Sequence, residues 1–168
     1  MGFCVYKRGM STHLRRADLQ DLDTLIALEQ ASFNSDQLSP RQMRYWVTTR
    51  TGQLWVAEGA GGVQGYALVR FRKGSSMARL YSIAVATPGQ GVASTLIGGV
   101  ERCAIATGCD RIQLEVSAGN HRAIALYERL GYRQRGRRVG YYANGDDALV
   151  MCRDLGGRAP QGDSQIRP

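Results

Sequence analysis

Histidine is almost missing from this chain of 168 residues: only His13 and His121 are present. Neither has a serine or cysteine partner at a recognisable spacing, so nothing supports a nucleophile triad or a covalent intermediate. The four cysteines, Cys4, Cys103, Cys109 and Cys152, form no C-x-x-C pair and stand at no ligand spacing from a histidine. Neither a structural metal nor a disulfide framework is indicated, and reduced thiols are expected. Long apolar runs are also lacking. No segment has the length of a transmembrane helix, and Met1 to Met10 has Lys7 and Arg8 without the apolar core of a secretory signal, so a cytoplasmic location is the expectation. There is no internal repeat, and no interleaving of aromatic and basic residues of the kind that reads RNA.

Acidic residues are outnumbered, 14 against 22 Lys and Arg, for a formal charge of +8. Arg133, Arg135, Arg137 and Arg138 form the densest basic cluster. Its bland reading is a solvated strand face, and it would also favour a ligand carrying several phosphates. The length fits one domain with a sizeable core. We expect residues 1–9 to be an unstructured leader, with Met10-Ser-Thr as a plausible start. Residues 10–155 should form the domain, and 156–168, rich in glycine, proline and polar residues, a disordered tail.

The pattern predicts a short strand over Thr12 to Arg16, then a helix capped by Asp18 with Leu22, Leu25, Ile26 and Leu28 on its apolar stripe, ending near Phe33. Ser39-Pro40-Arg41-Gln42 is a capping box with proline at the first helical position, opening a second helix that runs to about Arg50. Gln53 to Glu58 and Gln64 to Phe71 read as a hairpin across Gly59-Ala-Gly-Gly62, and Ala78 to Val85 as the next strand. Val92 to Thr107 has helical spacing and a closing Gly108; Arg111 to Val116 is a strand, and Asn120 to Leu130 a helix closed by Gly131. Strand, helix, strand implies a right-handed crossover, making Ala78 to Val85 and Arg111 to Val116 parallel. Arg133 to Tyr142 and Asp147 to Arg153 are expected to pair as a hairpin across a tight Asn144-Gly145 turn.

The most informative stretch runs from Tyr81 to Ser94, where an apolar strand enters a glycine turn that opens directly into a helix. The first N–H groups of a helix lack intrahelical partners and carry the positive end of its dipole, so this corner is an anion site that needs no basic side chain. Gly89 and Gly91 let the main chain approach a pyrophosphate closely.

Downstream come Arg111-Ile-Gln-Leu-Glu-Val116, Asn120, and Ala123-Ile-Ala-Leu-Tyr-Glu-Arg-Leu-Gly-Tyr132. In this order the chain resembles the GNAT superfamily of N-acetyltransferases, nearest to the ribosomal-protein alanine acetyltransferase branch. The resemblance covers roughly Leu14 to Leu155 and is strongest from Leu80 to Tyr132. One position departs: Pro88 stands where the family usually has Arg or Gln, and proline offers no N–H. The resemblance implies an α/β fold with a mixed, mostly antiparallel central sheet, one parallel crossover pair and about four flanking helices.

The resemblance also implies acetyl-CoA as cosubstrate, with no metal. Its pyrophosphate would lie on Gly89, Gln90, Gly91, Val92, Ala93 and Ser94, and its pantetheine along the backbone of Ile83, Ala84 and Val85. Asn120 and Ala123 would complete the cofactor site; Asn120 also reads as the cap of the last helix. Glu115 lies on the strand face opposite Ile112, Leu114 and Val116. Its bland reading is a salt-bridged or partly solvated carboxylate; the resemblance makes it a general base. Tyr127 is expected to be buried whatever its role, and the resemblance makes its hydroxyl the acid for the leaving thiolate. His121 follows the cap residue and is expected to face solvent.

For the acceptor, the resemblance points to the loop Phe33 to Leu38 and the late hairpin, with Phe33, Asp36, Tyr141 and Tyr142 as candidates. The Phe-Pro-Trp-Ser type of acceptor loop familiar from the ribosomal-protein branch is absent. An α-amine of pKa about 8 is neutral at pH 7 far more often than a lysine of about 10.4, so a carboxylate base suits the former better. The expected partner is an amine acceptor, a peptide N-terminus or a small molecule, taken by a monomer or homodimer without membrane contact. Two alternatives remain: a non-catalytic acyl-CoA-binding module, and a nucleic-acid-binding protein using the Arg133 to Arg138 cluster.

Overall fold

The computed structural model describes residues 12–156; the expected leader, and all of the expected tail beyond Gly156, lie outside the described residues. Seven strands among the described residues form one sheet: β1 (His13–Arg16), β2 (Gly52–Gly59), β3 (Gly62–Arg70), β4 (Met77–Val85), β5 (Arg111–Ser117), β6 (Arg133–Arg138) and β7 (Ala148–Asp154), in the spatial order β1-β2-β3-β4-β5-β7-β6. Every pairing is antiparallel except β4 with β5, which is parallel. Among the described residues, four helices flank the sheet: α1 (Leu22–Ser32), α2 (Pro40–Thr48), α3 (Val92–Ala106) and α4 (His121–Arg129). The mixed, mostly antiparallel α/β architecture read from the sequence is the one observed.

Local chemistry accounts for the helix ends. The Ser39 hydroxyl accepts from Gln42 N and the Gln42 side chain accepts from Ser39 N, so the capping box forms as read, a device whose loss costs about 1 kcal/mol. Asp18 caps a 3-10 turn (Leu19–Asp21) that leads into α1, instead of capping α1 itself, because Asp21 returns the capping bond to Asp18 N. Gly108 and Gly131 adopt φ of 87° and 92° after α3 and α4, conformations that L side chains disfavour. α2 stops at Thr48, two residues before the expected end.

The sheet separates two apolar layers. On one side Leu96, Ile97, Val100 and Ala104 of α3 pack on Ala67, Val69, Leu80, Ile112, Leu114 and Met151, and Tyr127 and Tyr132 join them. On the other, Leu25 and Leu28 of α1 and Met43 and Trp46 of α2 pack on Leu54, Val56, Tyr66 and Leu68. The motif's final Tyr132 is fully buried, and its hydroxyl donates to Glu101 of α3 at 2.9 Å; Arg153 holds the other Glu101 oxygen at 2.7 Å.

The expected tight turn at Asn144-Gly145 is not what joins the last two strands. β6 stops at Arg138, so Tyr141 and Tyr142 lie in the loop that follows it, and residues 139–147 form that loop. The loop is held by Asp147, which accepts from Gly140 N at 2.8 Å and from Arg137 Nε at 2.7 Å, and Gly140 turns the chain at φ 58°. Gly145 N donates to Tyr142 O, placing Ala143 and Asn144 at the turn centre and Gly145 just after it at φ 86°. The arginine cluster of β6 is exposed along an edge strand, where like charges discourage strand addition.

Candidate active site

The sheet opens where β4 and β5 part. Their parallel register runs from Met77↔Arg111 to Leu80↔Leu114 and ends there, although β4 continues to Val85 and β5 to Ser117. A bulge causes the divergence: Leu68 pairs with Ser82 and Val69 with Leu80, leaving Tyr81 as an extra residue that bends β4. The β4 edge from Tyr81 to Val85 that faces β5 therefore has no strand partner among the described residues, and its main-chain groups are free to pair with an extended, amide-bearing ligand.

A cleft of about 730 Å³ occupies this opening. It brings together Ile83, Glu115, Asn120, Ala123, Tyr127, Phe33, Asp36, Tyr141 and Tyr142, residues from both ends of the chain. Ala84, Val85 and the turn residues Gly89 to Ser94 do not line it. Ala84 turns its side chain into the α1–α2 layer, and the turn forms the corner between β4 and α3.

That corner has the features a phosphate needs. Gly89 and Gly91 take φ of 87° and 79°, and Gly91 is the cap residue of α3. The first helical bond is Thr95 N to Gly91 O at 3.1 Å, so the N–H groups of Val92, Ala93 and Ser94 find no acceptor among the described residues. Arg122, in the first turn of α4, lies over the corner: its Nη2 is 3.0 Å from where a Cβ on Gly89 would sit. The free N–H groups, the two glycines and the unpaired β4 edge fit the phosphates and amides of a coenzyme A thioester. Asn120 caps α4, its Oδ1 accepting from Ala123 N at 3.1 Å. His121 is exposed, as expected.

Glu115 is the first β5 residue past the last paired position, with a side chain only 5% exposed. Arg79 Nε donates to its Oε2 at 3.0 Å, Gln113 Nε2 to its Oε1 at 3.3 Å, and Arg138 Nη2 lies 3.5 Å from Oε1. Two guanidiniums thus compensate a buried carboxylate that would otherwise be costly. Tyr127 is 6% exposed, its ring meets that of Tyr132 edge-on at 5.6 Å, and no group among the described residues hydrogen-bonds its hydroxyl. Burial, with a smaller effect of nearby Tyr142, pushes this phenol well above its ordinary value and keeps its proton on at physiological pH.

On the acceptor side the two walls touch. Asp36, at φ 55°, accepts from Ala143 N at 3.0 Å and from Ser35 Oγ at 3.0 Å, joining the loop after α1 to the β6–β7 loop. Tyr141 and Tyr142 meet edge-on at 5.1 Å, and the Tyr141 hydroxyl accepts from Arg79 Nη2 at 2.9 Å. Burial and then the neighbouring Tyr141 push Tyr142 up to about 12.

Several residues of this site were not singled out from the sequence. Glu29, 2% exposed, accepts from Leu38 N at 2.7 Å and from the Tyr66 hydroxyl, which also lies 2.9 Å from Ser82 Oγ. It ties the loop after α1 to the sheet. Its signal was its place on the stripe of Leu22, Leu25 and Ile26, a core position holding a carboxylate. Arg79 and Arg138 became legible only once the strand order set them beside Glu115.

The family model described as the acetyltransferase (GNAT) family matches residues 19–132, and this chain belongs to that family. An N-alpha-acetyltransferase of Saccharolobus solfataricus is 28% identical over 166 residues, covering 88% of this chain and 96% of that protein. The crystal structure of the ribosomal-protein-S18-alanine N-acetyltransferase from Escherichia coli shares the fold with a TM-score of 0.79 at 23% identity, covering 90% of this chain and 98% of that one. NAA60 of Arabidopsis thaliana, solved in complex with acetyl-CoA, shares it with a TM-score of 0.77 at 19% identity, covering 88% and 100%.

Proposed function

We propose that this chain acetylates the α-amine of a peptide or protein N-terminus, with acetyl-CoA as donor, by direct attack of the amine. The observation that carries the reading is the cleft at the parting of β4 and β5, which places a compensated carboxylate, Glu115, and a protonated buried phenol, Tyr127, on one space. Acetyl-CoA supplies a thioester carbonyl as the acyl donor. The Gly89 to Ser94 corner holds its phosphates, with Arg122 contributing the cation that Pro88 does not, and the free β4 edge at Ile83 to Val85 holds its amides.

The amine nitrogen bonds to the carbonyl carbon and the carbon–sulfur bond breaks. Glu115 takes the proton the amine loses, directly or through a water, and Tyr127 gives a proton to the departing thiolate. Arg79 and Arg138 beside Glu115 repel an ammonium and favour the neutral amine, which an α-amine supplies more readily than a lysine. The name of the Saccharolobus relative supports the same acceptor class.

The reading is tested by thermal denaturation with acetyl-CoA, CoA and ADP, followed by a screen of peptide and small-molecule amines. Ligand at about a hundred times its dissociation constant adds about 2.7 kcal/mol, several degrees for a domain of this size. A saturable shift with acetyl-CoA and CoA, and thiol release with a peptide amine, is the expected result. A shift without turnover on any amine would instead establish a binding module.

A further inference from the structure

Beyond the cleft, α1 and α2 leave part of their side of the sheet open, and that open face carries a run of alternating rings and guanidiniums. The Arg70 guanidinium lies 5.0 Å from the ring centres of both Trp46 and Tyr81. Arg79 lies 5.4 Å from the Tyr81 ring centre and donates to the Tyr141 hydroxyl, and Arg138 lies 5.5 Å from the Tyr141 ring centre. Each cation is held by a ring, which fixes its position at little entropic cost; Arg79 spends its Nε on Glu115 and its Nη2 on Tyr141, whereas Arg70 keeps its N–H edge for a ligand. Tyr81 and Tyr141 are 38% and 39% exposed, so the run is accessible.

Its charge is unbalanced. Glu115 is the one carboxylate in contact with the run among the described residues; it serves Arg79 and Arg138, and Arg70 has no acidic partner there. Arg79, Tyr81 and Tyr141 also line the cleft, so the run starts at the mouth where the acceptor amine enters. An extended peptide advances about 3.3 Å per residue, so the residues that follow its first are the ones within reach of a run that starts at the mouth.

We propose that the run is a specificity surface for acidic acceptor termini, reading Asp or Glu at the second to fourth positions of the peptide. The inference rests on the N-terminal acceptor reading above and adds the class of terminus. Guanidinium edges pair with carboxylates in two parallel hydrogen bonds, a geometry that suits Asp and Glu side chains. Tyr81 and Tyr141 each already carry an arginine, so less of their faces is left on which a nucleic-acid base would stack.

Three peptides with the same first residue and acidic, neutral or basic residues at positions two to four decide the matter. Binding is measured by isothermal titration in the presence of CoA, and acetylation rates are measured separately with acetyl-CoA. The acidic peptide should bind at least about tenfold more tightly than the basic one at low ionic strength, and the gap should narrow in concentrated salt. Arg70→Gln should shrink the gap severalfold and Arg70→Lys should recover only part of it, because an ammonium keeps the charge without the two parallel hydrogen bonds. Equal binding and equal rates for all three peptides would overturn the inference and leave the acetyltransferase reading standing. Turnover of small amines with no acetylation or binding of any peptide would overturn both the inference and the N-terminal acceptor. Tighter binding of a single-stranded RNA oligomer, displacing the acidic peptide, would also overturn the inference.

Discussion

Arg79 and Glu115 meet at the point where the sheet opens: Arg79 Nε donates to Glu115 Oε2 at 3.0 Å, beside the last paired position of β4 and β5. The contact anchors the proposed base at the cleft wall. Glu115→Gln keeps the shape and removes the proton acceptor, so kcat/KM should fall about tenfold to a hundredfold near pH 6.5. The loss should shrink toward pH 9, where an α-amine of pKa about 8 is already neutral. Rates across pH with one peptide substrate check this, and a constant ratio of variant to wild type removes Glu115 as the base.

Tyr127→Phe should lower kcat by about a hundredfold or more while acetyl-CoA affinity stays within about twofold, because the hydroxyl acts on the leaving group and not on binding. Burial holds the Tyr127 proton above its ordinary range, so the wild-type rate should show no falling limb from this residue up to about pH 10. Single-turnover kinetics with a separate titration of acetyl-CoA binding distinguish the two effects. An unchanged rate would leave the ring as packing against Tyr132.

Glu29→Ala removes the acceptor of Leu38 N and of the Tyr66 hydroxyl in a buried setting. A loss of about 2–4 kcal/mol in denaturant stability is expected. The loop after α1 is what it secures, so KM for the acceptor should rise more than that for acetyl-CoA. Equal rises in both would place its role in the sheet as a whole.

The Arg15 hydrogen bonds hold Asp21 below the usual carboxylate range. A lowered folded value means this pair contributes stability above the unfolded value of about 3.9 and loses it as pH falls through the folded one. Asp21→Asn should therefore cost about 1–2 kcal/mol at pH 7 and less at pH 3, below the unfolded value. Chemical denaturation at the two pH values reads the difference.

What the sequence made legible was local or periodic. The capping box at Ser39, the glycine closures at Gly108 and Gly131 and the alternation of β5 are decided within a few residues, and they stand where they were read. The parallel β4–β5 pair followed from the crossover rule. The bulge at Tyr81 was hidden, because it is a mismatch between two strands and has no signature in either one alone. Asn144-Gly145 misled for a related reason: a favoured turn pair was overridden by Asp147, which captures Gly140 N and Arg137 and ends β6 early. The ion pairs on Glu115 come from β4 and β6, two strands whose places beside it depend on the whole topology.

The central claim is amine acetylation in the cleft between β4 and β5, and its most direct measurement is thiol release from acetyl-CoA with a free N-terminal peptide, run beside the same peptide with its α-amine blocked. The account predicts release that saturates in both substrates, requires the free α-amine and collapses in Tyr127→Phe. Release that is indifferent to blocking the amine, or none with any amine despite saturable acetyl-CoA binding, would contradict it.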